Sequence, residues 1–153
     1  LTWIYSQEHP QKIEFNTIEL FPLELNVWSE LTYAKGIEQQ EIFTKLHDAD
    51  WEVESKIDER FTLLKNEISL KDYASDKSFD LIYFDAFGPE VQPELWELPI
   101  FEKLYNMLDD GGVLVTYSAK GQVRRDMQTA GFTVERLEGP PGKREMLRGR
   151  RVG

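Results

Sequence analysis

No cysteine occurs among the 153 residues, which excludes disulfides, thiolate nucleophiles and cysteine-ligated zinc and fits a reducing cytoplasm. The two histidines, His9 and His47, stand far apart with no ligand spacing around them, so no metal site is expected. No apolar run approaches the roughly 20 residues that a membrane span needs, and the opening residues do not read as a signal peptide. Basic charge is also scarce. Eighteen Lys and Arg face 28 Asp and Glu, a net charge of −10. The distribution is uneven, however: residues 120–153 carry nine Lys/Arg against four acids, and residues 1–119 carry nine against 24. Phosphate contacts require a local basic surface rather than a basic protein, so the C-terminal stretch can host an anionic partner. Basic side chains that merely solvate a hairpin would give the same pattern.

What is present is enough for one hydrophobic core: 41% of the residues are hydrophobic, and the length suits a single domain over residues 1–153. Residues 1–8 read as the end of a helix, closed by His9-Pro10. Residues 12–20 alternate apolar and polar side chains as a strand does. Pro22 suits the first turn of a helix running to about Tyr33, and residues 37–49 form a second helix with Ile42, Phe43 and Leu46 on one face. Residues 61–68 are a strand. Residues 79–84 (FDLIYF) form a nearly unbroken apolar strand of the kind covered on both faces. A helix over 93–108, a strand over 113–117, a helix over 121–130 capped by Gly131, and a strand over 132–137 follow. Gly139-Pro140-Pro141-Gly142 is a turn, and residues 145–150 return as the last strand. Strands alternating with helices predict an α/β doubly wound, mostly parallel sheet closed by a C-terminal antiparallel hairpin.

In such sheets ligands bind at the carboxyl ends of strands, where three acids fall. Glu19 could accept hydrogen bonds from both hydroxyls of a ribose, although capping the next helix would explain it equally well. Glu67 could lie beside a nucleoside base or simply be solvated. Asp85 opens the segment Asp85-Ala86-Phe87-Gly88-Pro89, followed by Pro93-Glu94-Leu95-Trp96. An acid directly after an apolar strand, in a loop stiffened by prolines and walled by Phe87 and Trp96, can orient an amine for attack. An aspartate bonding to the amides of its own turn is the structural alternative.

The stretches DAFGPEVQPELW, DDGGVLVTYSAKGQVRRDMQTAGFTVERLEG and GKREMLRG, in that order and spacing, resemble the methyltransferase domain of the bifunctional tRNA-modifying enzyme MnmC and its stand-alone relatives. The resemblance runs from about residue 13 to residue 150. It implies the class I S-adenosylmethionine-dependent methyltransferase fold, S-adenosylmethionine as cofactor, and the anticodon loop of tRNA as partner. The implied reaction is methylation of the aminomethyl group on a wobble uridine or 2-thiouridine. By position, Glu19 matches the ribose-binding acid. Glu67 stands where the family has Asp after a glycine that is Asn66 here. Asp85 matches the first acid of an Asp-x-Phe-x-Pro signature, bordering the cofactor and placing the amine near the sulfonium. Lys143, Arg144 and Glu145 match a segment near the substrate nucleotide. The family's glycine-rich loop, which follows its first strand, has no counterpart. The resemblance implies that strand and loop precede Leu1, and that cofactor binding without them is weak.

The reaction implied is direct transfer to a neutral primary amine. Asp85 would align the amine and accept a proton. Phe87, Trp96 and Tyr117 would wall the pocket and stack on the base, while Arg124, Arg125, Lys143, Arg144 and Arg148 would hold phosphates. Two alternatives stay open. An aminopropyl transferase-like or other small-amine transferase would use the same fold but prefer an acidic rim. A non-catalytic module would bind RNA or protein without a nucleoside cofactor.

Overall fold

The computed structural model describes residues 1–31, 36–139, 142 and 144–153, gathered into two compact units, Leu1–Tyr73 and Ala74–Gly153. In the first, helix α1 (Thr2–Glu8) ends at His9, whose extended backbone (φ −128°, ψ 149°) is the one a following proline imposes. Strand β1 (Ile13–Ile18), the short helix α2 (Leu25–Trp28), α3 (Ile37–Asp48), β2 (Ser55–Lys56) and β3 (Phe61–Asn66) follow. The sheet order is β1-β3-β2, with β1 parallel and β2 antiparallel to β3. Ile57, Phe61 and Leu63 are buried at its centre, packed by Trp3, Ile13, Phe15, Ile42, Leu46 and Ala49. The third apolar residue of the α3 face, Phe43, turns instead to Trp28 and His47. Pro22 does not open a helix. The Glu19 carboxylate accepts from the Phe21 N–H, forming a turn there, and α2 starts only at Leu25. The end expected near Tyr33 lies outside the described residues.

Two polar side chains tie this unit together. The Asp58 carboxylate accepts from the Trp3 indole (2.5 Å), the Gln7 amide (3.0 Å) and the Arg60 and Phe61 N–H groups (2.7 and 2.9 Å), joining α1 to the turn before β3. Burial on its own would raise the Asp58 pKa, but the donors together hold it below the usual carboxylate range. Lys65 is only 7% exposed. Its ammonium donates to the His47 carbonyl at the end of α3 (2.6 Å) and stands over the Trp51 ring. Burial lowers its pKa against the opposing pull of Asp48 and Asp50.

The second unit contains β4 (Phe79–Phe84), a single 3₁₀ turn (Pro93–Leu95), α4 (Leu98–Met107), β5 (Leu108–Thr116), α5 (Gly121–Thr129), β6 (Thr133–Glu138) and β7 (Glu145–Arg150). The sheet order is β4-β5-β7-β6; β4 and β5 are parallel, and β6 and β7 form the antiparallel hairpin foreseen from the sequence. Phe84, Phe101, Leu104, Leu114, Met127 and Leu147 form its core. Three expectations change. β4 is not covered on both faces: its alternate residues Leu81 and Tyr83 are exposed, and among the described residues it lies at an edge of its sheet. The helix foreseen over 93–108 breaks at Trp96, which turns inward to pack on Phe84 and Phe101, and resumes at Leu98 with Pro99 in its first turn. β5 begins at Leu108 rather than 113, running through Gly111, whose φ of 81° favours glycine. α5 closes as foreseen. Gly131 (φ 111°) donates to the Gln128 carbonyl and Phe132 to the Met127 carbonyl, the paired bonds of a Schellman turn.

Two measurements test this packing. Asp58→Ala should destabilise the protein by about 1 kcal/mol near neutral pH, since it removes the hydrogen bonds that join α1 to the turn before β3. Asp58 has a depressed folded pKa, so its contribution is present above the unfolded value, near 4, and is lost as pH falls through the folded pKa. Denaturation of the two proteins should therefore converge in acid; a gap independent of pH would contradict the ionic role. In β7, a Cβ on Gly149 would lie 2.8 Å from both Met127 Cε and Phe132 Cδ1. Gly149→Val should cost about 1–3 kcal/mol by overpacking, read from the urea midpoint.

Candidate active site

In the first unit, the parallel register sets Ile18 opposite Asn66, so the next residues, Glu19 and Glu67, emerge side by side at the carboxyl ends of β1 and β3. The Glu19 N–H donates to the Asn66 carbonyl (3.0 Å), and the buried Asn66 amide donates to Thr17 O (2.9 Å). Both carboxylates are exposed. Glu52, which the sequence did not single out, joins them. With φ at 59° it turns its carboxylate to accept the Glu67 N–H at 2.6 Å. Exposed carboxylates beside the exposed apolar side chains of Leu20 and Phe21 are the acceptor chemistry that ribose hydroxyls require, so these residues fit a nucleoside.

In the second unit, Phe84 pairs with Thr116 across the parallel β4–β5 ladder. The next residues, Asp85 and Tyr117, therefore leave the sheet together. Thr116 also faces Leu147 in the antiparallel β5–β7 ladder, which brings Arg144 and Glu145, at the start of β7, to the same end. α5 begins just beyond, carrying Arg124 and Arg125. Asp85 is exposed, and Phe87 is 71% exposed. Trp96 is the reverse: 5% exposed, with its indole N–H donated to the Phe87 carbonyl at 2.6 Å. Its ring meets Tyr117 edge-on, 5.9 Å between centroids. The Tyr117 hydroxyl donates to the Ala86 carbonyl at 2.8 Å. Burial raises the Tyr117 pKa, and the Asp85 charge raises it further, so the phenol remains a donor well above neutral pH.

The basic residues divide. Arg148 is paired with Glu135 across the hairpin (2.8 Å), a contact that lowers the Glu135 pKa and raises that of Arg148. Glu145 pairs with Arg136 at 3.3 Å. Arg125 donates to Gln122 (2.8 Å), the Arg124 Nε is buried without a hydrogen-bond partner, and Arg144 is exposed. Lys143 lies outside the described residues. Among the described residues no group of His, Asp and Glu could hold a metal ion, and no helix is long and apolar enough to cross a membrane.

Comparison with known proteins bears on what this arrangement serves. The bifunctional protein MnmC of tRNA 5-methylaminomethyl-2-thiouridine biosynthesis from an Azoarcus species is 41% identical over 78 residues, 51% of this chain and 12% of that protein. Its counterpart from Aromatoleum aromaticum is 41% identical over 71 residues, 46% of this chain and 11% of that protein. The chain thus matches only about an eighth of the length of these relatives. The crystal structure of MNMC2 from Aquifex aeolicus superposes with a TM-score of 0.71 at 25% identity, covering 90% of this chain and 43% of that one. The family of S-adenosyl-L-methionine-dependent methyltransferases matches residues 32–152. With an α/β fold and acids at the strand ends, and with that match over most of its length, the chain belongs to the S-adenosyl-L-methionine-dependent methyltransferases.

Proposed function

We propose that this methyltransferase acts on the aminomethyl nitrogen of 5-aminomethyl-(2-thio)uridine at the tRNA wobble position. The observation that carries the reading is the end of the second unit's sheet, where an exposed carboxylate, Asp85, and an exposed aromatic ring, Phe87, share one loop next to basic residues of β7 and α5. That combination suits an amine on a base within a phosphate chain better than a free polyamine, whose own positive charge the basic residues would repel. It is supported by the likeness to proteins named for 5-methylaminomethyl-2-thiouridine biosynthesis.

S-adenosylmethionine, when bound, supplies an electrophilic methyl group. Glu19 would accept from its ribose hydroxyls and Glu67 would lie on the base side. Asp85 accepts a hydrogen bond from the substrate amine, directs the nitrogen lone pair and receives the proton that the amine loses on methylation. Phe87 offers an open face for stacking, backed by Trp96 and Tyr117. Arg124, Arg125, Lys143, Arg144 and Arg148 are the candidates for phosphate contact, with Glu145 beside them. Arg148 would have to exchange Glu135 for phosphate.

Mass spectrometry of tRNA nucleosides after incubation with S-adenosylmethionine and the full-length protein should show the aminomethyl nucleoside converted to its N-methyl form. Conversion of a free polyamine instead would overturn the substrate. Asp85→Ala should cut methyl transfer by at least about 100-fold with little change in folding; near-normal turnover would remove Asp85 from the mechanism. Replacing Lys143 and Arg144 together by Ala should weaken tRNA binding and flatten its salt dependence by roughly one unit of slope per lost phosphate contact. Cofactor affinity should not change. An unaltered slope would assign the pair to solvation of the hairpin.

A further inference from the structure

The loop after β4 is held by side chains from outside it at three places. The Tyr117 hydroxyl takes the carbonyl of Ala86, the Trp96 indole takes that of Phe87, and the Lys120 ammonium pairs with the Glu90 carboxylate. Within the loop, the N–H groups of Val91 and Gln92 both donate to the Gly88 carbonyl (2.8 and 3.0 Å), closing a turn. A Cβ on Gly88 would come within 3.1 Å of the Glu90 carboxylate and 3.6 Å of the Tyr117 hydroxyl, so the backbone passes close beneath both. Of the three outside contacts, that of the Tyr117 hydroxyl falls nearest to Asp85 along the chain, on the carbonyl of the next residue, Ala86.

We propose that Tyr117 is a positioning residue for Asp85: its hydroxyl, donated to the Ala86 carbonyl, holds the strand-end loop in the arrangement that presents the Asp85 carboxylate to the amine. This rests on the reading of Asp85 given above and assigns the phenol a task distinct from stacking. An edge-on contact with the indole fixes the Tyr117 ring on one side, and the ladder fixes its backbone next to Thr116. The hydroxyl therefore has little freedom, and the carbonyl it holds inherits that restriction. Preorganisation of this kind acts on the transition state, since a carboxylate displaced by even about 1 Å loses much of its alignment.

Tyr117→Phe keeps the ring and deletes the contact. In the full-length protein without cofactor, hydrogen exchange at the Val91 and Gln92 amides should quicken several-fold, with the melting temperature almost unchanged. With S-adenosylmethionine and tRNA, kcat should fall about tenfold, the scale of one hydrogen bond, with KM for the cofactor unaltered. In an Asp85→Ala background the same substitution should change the residual rate by less than about twofold, because both act through one group. Wild-type exchange would overturn the proposal, as would faster exchange with wild-type kcat. A full tenfold loss that persists without Asp85 would also overturn it, since Tyr117 would then act on its own. Undiminished turnover of Asp85→Ala alone is a different result: it removes the reading of Asp85, while the exchange rates still report whether the hydroxyl holds the loop.

Discussion

The parallel pairing of Phe84 with Thr116 is the constraint from which the candidate site in the second unit follows. Parallel strands end in the same direction, so whatever succeeds one must lie beside whatever succeeds the other. Asp85 and Tyr117 become neighbours although 31 positions separate Ala86 from Tyr117. The antiparallel return of β7 then carries Arg144 and Glu145 to the same end, because Leu147 is opposite Thr116. A one-residue slip in either ladder would turn Phe84 or Leu147 out of the core, so the hydrophobic interior and the arrangement of polar groups above it are specified together.

Charge is handled differently in the two units. In the first, cations and anions are drawn into structural tasks: Lys65 terminates α3, and Asp58 gathers donors from α1 and the turn before β3. Glu19 and Glu67 are left at the sheet's carboxyl edge, with Glu52 bracing the second of them. In the second unit, cross-strand ion pairs occupy Arg136 and Arg148 along the hairpin. The excess of basic residues after position 119 is thus partly consumed within the fold, while Arg144, just before β7, is exposed. Exposed pairs of this kind contribute little to stability and exchange readily with other anions.

Much of this was legible in the residues. An apolar run that ends in Asp85 and gives way to prolines and aromatics marks a strand end carrying a polar group, and the Gly131 cap with its flanking helix and strand needed only local rules. What escaped was decided by contacts distant in sequence. The burial of Trp96 breaks a helix that periodicity alone would continue, since nothing nearby announces that its indole will find the Phe87 carbonyl. Glu52 belongs to no motif, and its left-handed backbone has no signature outside glycine and asparagine. The early start of β5 was hidden because Asp110-Gly111-Gly112 reads as a turn, whereas a positive φ inside a strand serves as well. The Lys120–Glu90 pair joins residues thirty positions apart and leaves no periodic trace.

Because β4 has one hydrogen-bonded neighbour among the described residues, its other side is a row of backbone donors and acceptors without a ladder, bordered by the exposed side chains of Leu81 and Tyr83. Among the described residues β1 likewise pairs only with β3. Neither strand carries the proline or inward lysine that natural edges use to discourage recruitment. Such edges are templates. An extended segment of chain that reaches such an edge can pair with it through main-chain hydrogen bonds, whatever its side chains.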